Sequence, residues 1–194
     1  MATFTVKQSG GDYSTLDAAF GGASVTDIDI EGTWTSDDTT YVTADVANVT
    51  VTCDADSKHP GYLIEESRTG STTHYRLTHS QTSGVGEAIH CSASGCTFNG
   101  LTIVSTSTDT SDEAIDFNDE TVTVDSCILH STTTTADKDG CYCANNTSTL
   151  NINNSVITGW GRGGINGQNF TGGSGNTITL NIDSCTIFAC GSDG

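Results

Sequence analysis

The chain has 194 residues, with 24 acids against 6 bases and a formal net charge of −18. Phosphate recognition needs Lys and Arg, so this balance excludes nucleic acid as a direct partner. No apolar run approaches the roughly 18 residues of a membrane span, so no membrane partner is expected. With 34% hydrophobic residues, one Met, one Pro and two Trp, the core must be thin and built from small side chains, within a single domain over 1–194.

In chain order, Thr3–Val6 reads as a strand and Gln8–Gly11 as a turn. Tyr13–Phe20 reads as a short helix. Ser14 is placed to cap it with Asp17 three residues on, and Leu16, Ala19 and Phe20 share one face. Gly21-Gly22 ends it. Residues 1–22 thus form an N-terminal strand and helix cap, and 23–194 form the body. Val25–Glu31 and Val46–Thr52 alternate as strands. Matching Ile28 to Val49 and Ile30 to Val51 gives an early step of 21 residues. The alternation breaks near 53–70, which reads as a protruding loop holding Lys58, His59, Pro60 and Arg68. Strand character resumes over Thr73–His79 and includes Arg76.

From Glu87 onward the chain repeats. The segments Cys96–Ile103, Val122–Leu129, Leu150–Ile157 and Leu180–Ile187 are four copies of one unit, starting 26, 28 and 30 residues apart. Apolar residues alternate on either side of an Asx–small pair: Asn99-Gly100, Asp125-Ser126, Asn153-Asn154 and Asp183-Ser184. That is two short strands joined by a tight bend. A further strand precedes each unit, since Glu87-Ala88-Ile89-His90 recurs as Glu113-Ala114-Ile115-Asp116, with Gly140–Cys143 and Gly164–Asn166 in comparable places. Three strands and three turns stacked on copies of themselves predict an all-β, right-handed parallel β-helix.

The helix motif Gly-Asp-Tyr-x-Thr-Leu-x-x-Ala at Gly11–Ala19, followed by these repeats, resembles the pectin-lyase-like right-handed β-helix superfamily. The stretch Val49–Ile103, with its Lys-His-x-Gly loop, also resembles small β-helix structural proteins of tailed bacteriophages. The first resemblance implies a fold used by carbohydrate-active enzymes. Asp116 is similar to an Asp of the pectin methylesterases and Arg162 to their Arg, but the flanking Gln-Asp-Thr-Leu and Pro-Trp are missing. For hydrolysis with paired carboxylates, Asp137 with Asp139 or Asp116 with Asp119 can be offered. Tyr142, Trp160 and Phe170 are read as aromatics borne on loops of the repeat region, with rung packing the better account of Tyr142 and Phe170.

Other motifs carry less. Cys127 and Cys185 share one inward column and are expected as buried thiols. The cysteine spacings fit neither zinc nor a disulfide scaffold, so no metal and no cofactor is expected. The acids Asp109, Asp112, Glu113, Asp116, Asp119 and Glu120 lack EF-hand spacing. Gly159–Gly164 matches GxGxxG without a following helix. Thr121, Thr149 and Thr179 form a column, but its partner column changes from Thr to Asn, so the paired array needed for ice binding fails.

These readings lead to a non-enzymatic structural protein, a virion component that decorates or cements a phage capsid, with a carbohydrate-binding or carbohydrate-cleaving module as the alternative. The expected partners are identical copies, as a trimer, and a major capsid or other virion protein. The Met-Ala-Thr-Phe-Thr start shows no signal peptide, so the expected location is the virion, assembled in the host cytoplasm. The interface candidates are the bases Lys58, His59, Arg68 and Arg76, and the apolar Leu180, Ile182 and Ile187 of the last unit.

Overall fold

Alternating apolar side chains need a shared interior, and short strands separated by turns reach one only by stacking. The computed structural model describes residues 2–59, 74–80, 86–108, 112–133, 137–144, 147–168 and 177–191. They form a parallel β-solenoid with three faces. Sheet A runs β1 (Ala2–Val6), β2 (Val25–Ile30), β4 (Thr50–Cys53), β7 (Cys96–Asn99), β10 (Thr121–Asp125), β13 (Ser148–Asn153) and β16 (Ile178–Asp183). Sheet B runs β5 (Leu77–His79), β8 (Thr102–Ser105), β11 (Ile128–Ser131), β14 (Val156–Thr158) and β17 (Thr186–Phe188). Sheet C runs β3 (Val42–Ala44), β6 (Gly86–Cys91), β9 (Asp112–Asn118), β12 (Lys138–Ala144) and β15 (Gly163–Gln168). Every strand pairing between rungs is parallel.

The sequence columns are the registers of these ladders. Cys96, Val122, Leu150 and Leu180 stack in sheet A, and Ile103, Leu129, Ile157 and Ile187 stack in sheet B. The A-to-B corner turns at Gly100, Ser126, Asn154 and Ser184, with φ of 79°, 53°, 50° and 54°. The left-handed residue is therefore the second of each Asx–small pair. A small or amide-bearing side chain tolerates that conformation where a branched one does not.

The early rungs differ from the sequence reading. Ile28 pairs with Val51 and Ile30 with Cys53, a step of 23 residues rather than 21. A slip of two residues keeps the same side chains inward, so alternation alone cannot detect it. The turn into β4 is made at Asn48, φ 60°, whose amide donates to the Ser94 carbonyl at 3.0 Å.

The N-terminal helix α1 spans Leu16–Phe20 and buries Leu16, Ala19 and Phe20. Its cap is Thr15, whose side chain accepts from the Ala18 amide, rather than Ser14. Asp17 is not part of a capping box. Its Oδ1 accepts from the Thr43 amide at 3.1 Å and ties α1 to β3. Buried Asp38 serves the helix start, accepting from the Leu16 amide at 2.9 Å and the Tyr75 hydroxyl at 3.0 Å. No described helix is long and apolar enough to cross a membrane.

All eight cysteines are free thiols. Cys127 is buried, and desolvation pushes its pKa up to about 12. Cys185, in the same column, is only half-buried because no described rung lies beyond it. Cys127 Sγ donates to the carbonyls of Phe98 and Asp125, at 3.4 and 3.2 Å, bonds that a serine hydroxyl can also make. Cys127→Ser should therefore cost less than about 1.5 kcal/mol, whereas Val124→Asp, which places a carboxylate in the closed core, should cost more than about 3 kcal/mol. Urea unfolding of the two variants checks this order, and native Cys127 should resist thiol reagents.

Candidate functional site

Sheet C carries the chemistry on its outer face. In β6, Ala88 and Ile89 both turn inward, so Glu87 and His90 both face out although three residues apart. Register makes Glu113 and Asp116 in β9, and Asp139 and Tyr142 in β12, the counterparts of Glu87 and His90, although Glu113 and Asp139 are themselves buried. Parallel register aligns them into two columns. The first is Glu87, Glu113, Asp139 and Gly163; the second is Thr43, His90, Asp116, Tyr142 and Asn166.

The columns are knitted across rungs. Arg162 donates from Nε to Asp139 Oδ2 at 2.9 Å and also from Nη2, and Asn166 Nδ2 donates to the same oxygen at 3.0 Å. The guanidinium lies 5.5 Å from the centre of the Tyr142 ring, a cation–π distance. His90 Nδ1 is 3.0 Å from Asp116 Oδ2 and 3.5 Å from Glu87 Oε1. Tyr41 donates its hydroxyl to Glu87 Oε1 at 2.8 Å.

Two carboxylate atoms on this face are enclosed without a donor, Asp116 Oδ1 and Asp139 Oδ1. The second lies against Gly163, where a Cβ would come within 3.3 Å of it, so only a glycine leaves the Asp139 carboxyl its room. Glu113 is 7% exposed. Burial, followed by the charges of Asp116, Asp139, Asp112 and Glu87, pushes its pKa up to about 8. Burial also raises that of Asp116, against the hydrogen bond and charge of His90.

Behind this face, the corner between sheets B and C is polar and buried. Asp112 is bonded by the Ser105 hydroxyl and lies 3.7 Å from Lys138 Nζ. His79 Nε2 is 3.0 Å from Asp112 Oδ1, without hydrogen-bond alignment. Lys138 also donates to the Ser107 carbonyl and, at 2.7 Å, to Thr133 Oγ1. Ser105 bonds a carboxylate rather than the imidazole, so the group fixes a corner and has no nucleophile activated by a base.

The structure redistributes the sequence candidates. The carboxyl pair crosses rungs as Glu113 and Asp139; Asp137 is half-exposed in a turn at φ 64°. Asp119 also sits in a turn, φ 69°, accepting from the Thr147 amide at 3.2 Å. Trp160 is fully buried, its Nε1 donating to the Leu129 carbonyl at 3.2 Å, and Gly140 leaves room for it. Tyr142, expected to pack, faces outward instead. Phe170, Asp109 and Arg68 lie outside the described residues.

Among the interface candidates, Arg76 is buried in an ion pair with Asp37 at 2.6 Å, so it is occupied within the fold. His59 Nε2 meets the Ser126 carbonyl at 2.6 Å, and the Lys58 stem lies over Gly100. Leu180, Ile182 and Ile187 are exposed, as is Phe188. Sequence reasoning missed Glu87, His90 and Tyr41. The 26-residue recurrence of Glu87–His90 held the signal, but the double inward turn at Ala88-Ile89 that puts both ends on one face leaves no mark in the alternation.

No family model, no curated protein and no solved structure matches the chain. The class that the fold defines is a parallel β-solenoid, with one outer face rich in carboxylates.

Two outcomes follow from the electrostatics. Glu113 has a folded pKa above its unfolded value, so its contribution to stability is lost as pH rises from about 4.5 to about 8. In metal-free protein, Glu113→Gln should gain stability over wild type across that window, by on the order of a few kcal/mol at its upper end, read from urea midpoints at several pH values. Lys138→Met leaves Asp112 buried without its cation and should destabilise by about 3 kcal/mol or more, read from the same titration near neutral pH.

Proposed function

We propose that the protein acts on a saccharide laid across the outer face of sheet C, with Glu113 and Asp139 as the carboxyl pair at the reacting bond. The observation that carries this reading is that the two are register partners on adjacent strands. Neighbouring strands lie about 4.8 Å apart, close to the roughly 5 Å between the two carboxyl groups of retaining glycosidases. Asp139, fully buried and held by Arg162 and Asn166, is suited to stabilise positive charge on the sugar from beneath the face. Glu113, which receives no hydrogen bond, is suited to deliver the proton to the leaving oxygen. Tyr142 and Tyr41 offer ring surface beside them. The face is acidic in an acidic protein, which favours neutral or cationic sugars over polyuronates.

The experiment is incubation with a panel of neutral and amino-sugar oligosaccharides, products being read by mass spectrometry. Asp139→Asn and Glu113→Gln should each lower turnover at least about 100-fold, with binding kept. Binding by wild type without turnover would remove the catalytic half of the proposal, and neither binding nor turnover would sink it.

A second reading is favoured by the exposure of Leu180, Ile182, Ile187 and Phe188 on the last described rung. Apolar side chains beside an unpaired strand edge invite a cover. In this reading the chain is a structural component that associates with copies of itself, as a trimer, or docks on a larger particle such as a phage capsid. Sedimentation at micromolar concentration decides it: a stable monomer for wild type, indistinguishable from Ile182→Glu, would remove the self-associating form.

A further inference from the structure

Glu87, His90 and Asp116 each bring one donor atom to a common point on β6 and β9, all three within 4.8 Å of one another. One imidazole among carboxylates could be an ordinary ion pair, but two further observations go beyond that. Glu113 is more than nine-tenths buried, takes no hydrogen bond, and stands beside Glu87 in the register on the same outward face. Asp116 Oδ1 is enclosed and has no donor. His90 Nδ1 supplies a single proton between Asp116 Oδ2 and Glu87 Oε1, and neither it nor the Tyr41 hydroxyl on Glu87 serves Asp116 Oδ1. Buried carboxylates require a cation or a proton. Among the described residues, Arg162 is turned to Asp139 and Asp137.

We propose that Glu87, His90 and Asp116 form a binding site for a divalent transition-metal ion, with Glu113 as an additional carboxylate beside it. The donor set selects the ion class. Imidazole with carboxylates suits Zn2+ or Mn2+, whereas Ca2+ and Mg2+ favour oxygen ligands throughout. Tyr41 orients Glu87 from outside the ligand set, as hydrogen-bonding neighbours do at metal centres. The three ligands lie on the outer, half-exposed face, so positions on the ion remain open to water or to a ligand oxygen. The three ligands Glu87, His90 and Asp116 lie outside the Glu113–Asp139 pair, and only Glu113 adjoins both, so variants of the three test the metal site apart from the saccharide reading.

The test is calorimetric titration of the full chain, stripped with EDTA, with Zn2+ and with Mn2+. One saturable site per chain is expected. Binding should weaken at least about 10-fold in His90→Ala and in Asp116→Asn, and about 10-fold in Tyr41→Phe. Tyr41 is 42% exposed, so Tyr41→Phe keeps the test available if a ligand variant fails to fold. The double variant Asp27→Asn/Asp183→Asn, which alters the outer face of sheet A, should bind as wild type does. Three results would overturn the proposal: no saturation below on the order of 1 mM, undiminished binding in folded His90→Ala, or loss with the sheet A variant instead. Equal competition by Ca2+ would reject the nitrogen-containing donor set. Weaker binding in the variants with unchanged sugar turnover would support the metal site while leaving the saccharide reading to its own assay.

Discussion

Parallel pairing between successive rungs is the constraint on which the rest of this molecule depends. Each strand finds its hydrogen-bond partners only on the rungs on either side of it, so no rung is complete alone. Once the ladders are in register, every inward side chain stacks on its counterpart one rung away. The core is then a set of columns such as Phe98, Val124, Ile152 and Ile182. Few large side chains are needed, because each fully buried Val, Leu or Ile contributes about 1.5–3 kcal/mol and the column repeats it.

The same register that builds the core builds the outer face of sheet C. Residues 26 apart in sequence become neighbours, so Glu87 meets Glu113 and His90 meets Asp116. The solenoid therefore concentrates acids that would repel one another in an extended chain. Burial increases the conflict, since the carboxyl of Glu113 is desolvated among the charges of Asp116, Asp139, Asp112 and Glu87. Arg162 relieves it chiefly at Asp139, with Asp137 at 3.7 Å. A fold that gathers carboxylates on one face, while pairing the corner carboxylate Asp112 with Lys138, concentrates electrostatic demand where a ligand can answer it.

Much of the fold was legible in the sequence. The alternation around each Asx–small pair, repeated every 26 to 30 residues, demands two strands and a tight bend. Only stacking can bury units so short. The helix at Leu16–Phe20 was legible from its apolar face, though its cap was displaced by one residue because Ser14 and Thr15 can both serve. Alternation could not set the register of β2 on β4, since a shift of two residues leaves the same faces buried.

The sequence by itself determined the parallel solenoid, the identity of its columns from Cys96 onward and the left-handed corner between sheets A and B. These follow from local dihedral preference and from a period that counts residues. Tertiary structure alone decided which polar side chains meet. It put Glu113 beside Asp139, turned Trp160 inward and Tyr142 outward, and drew Arg76 into a pair with Asp37. The physical reason is that side-chain direction depends on irregularities such as the consecutive inward residues Ala88 and Ile89. Only the packed interior selects these, by the space that neighbouring rungs leave.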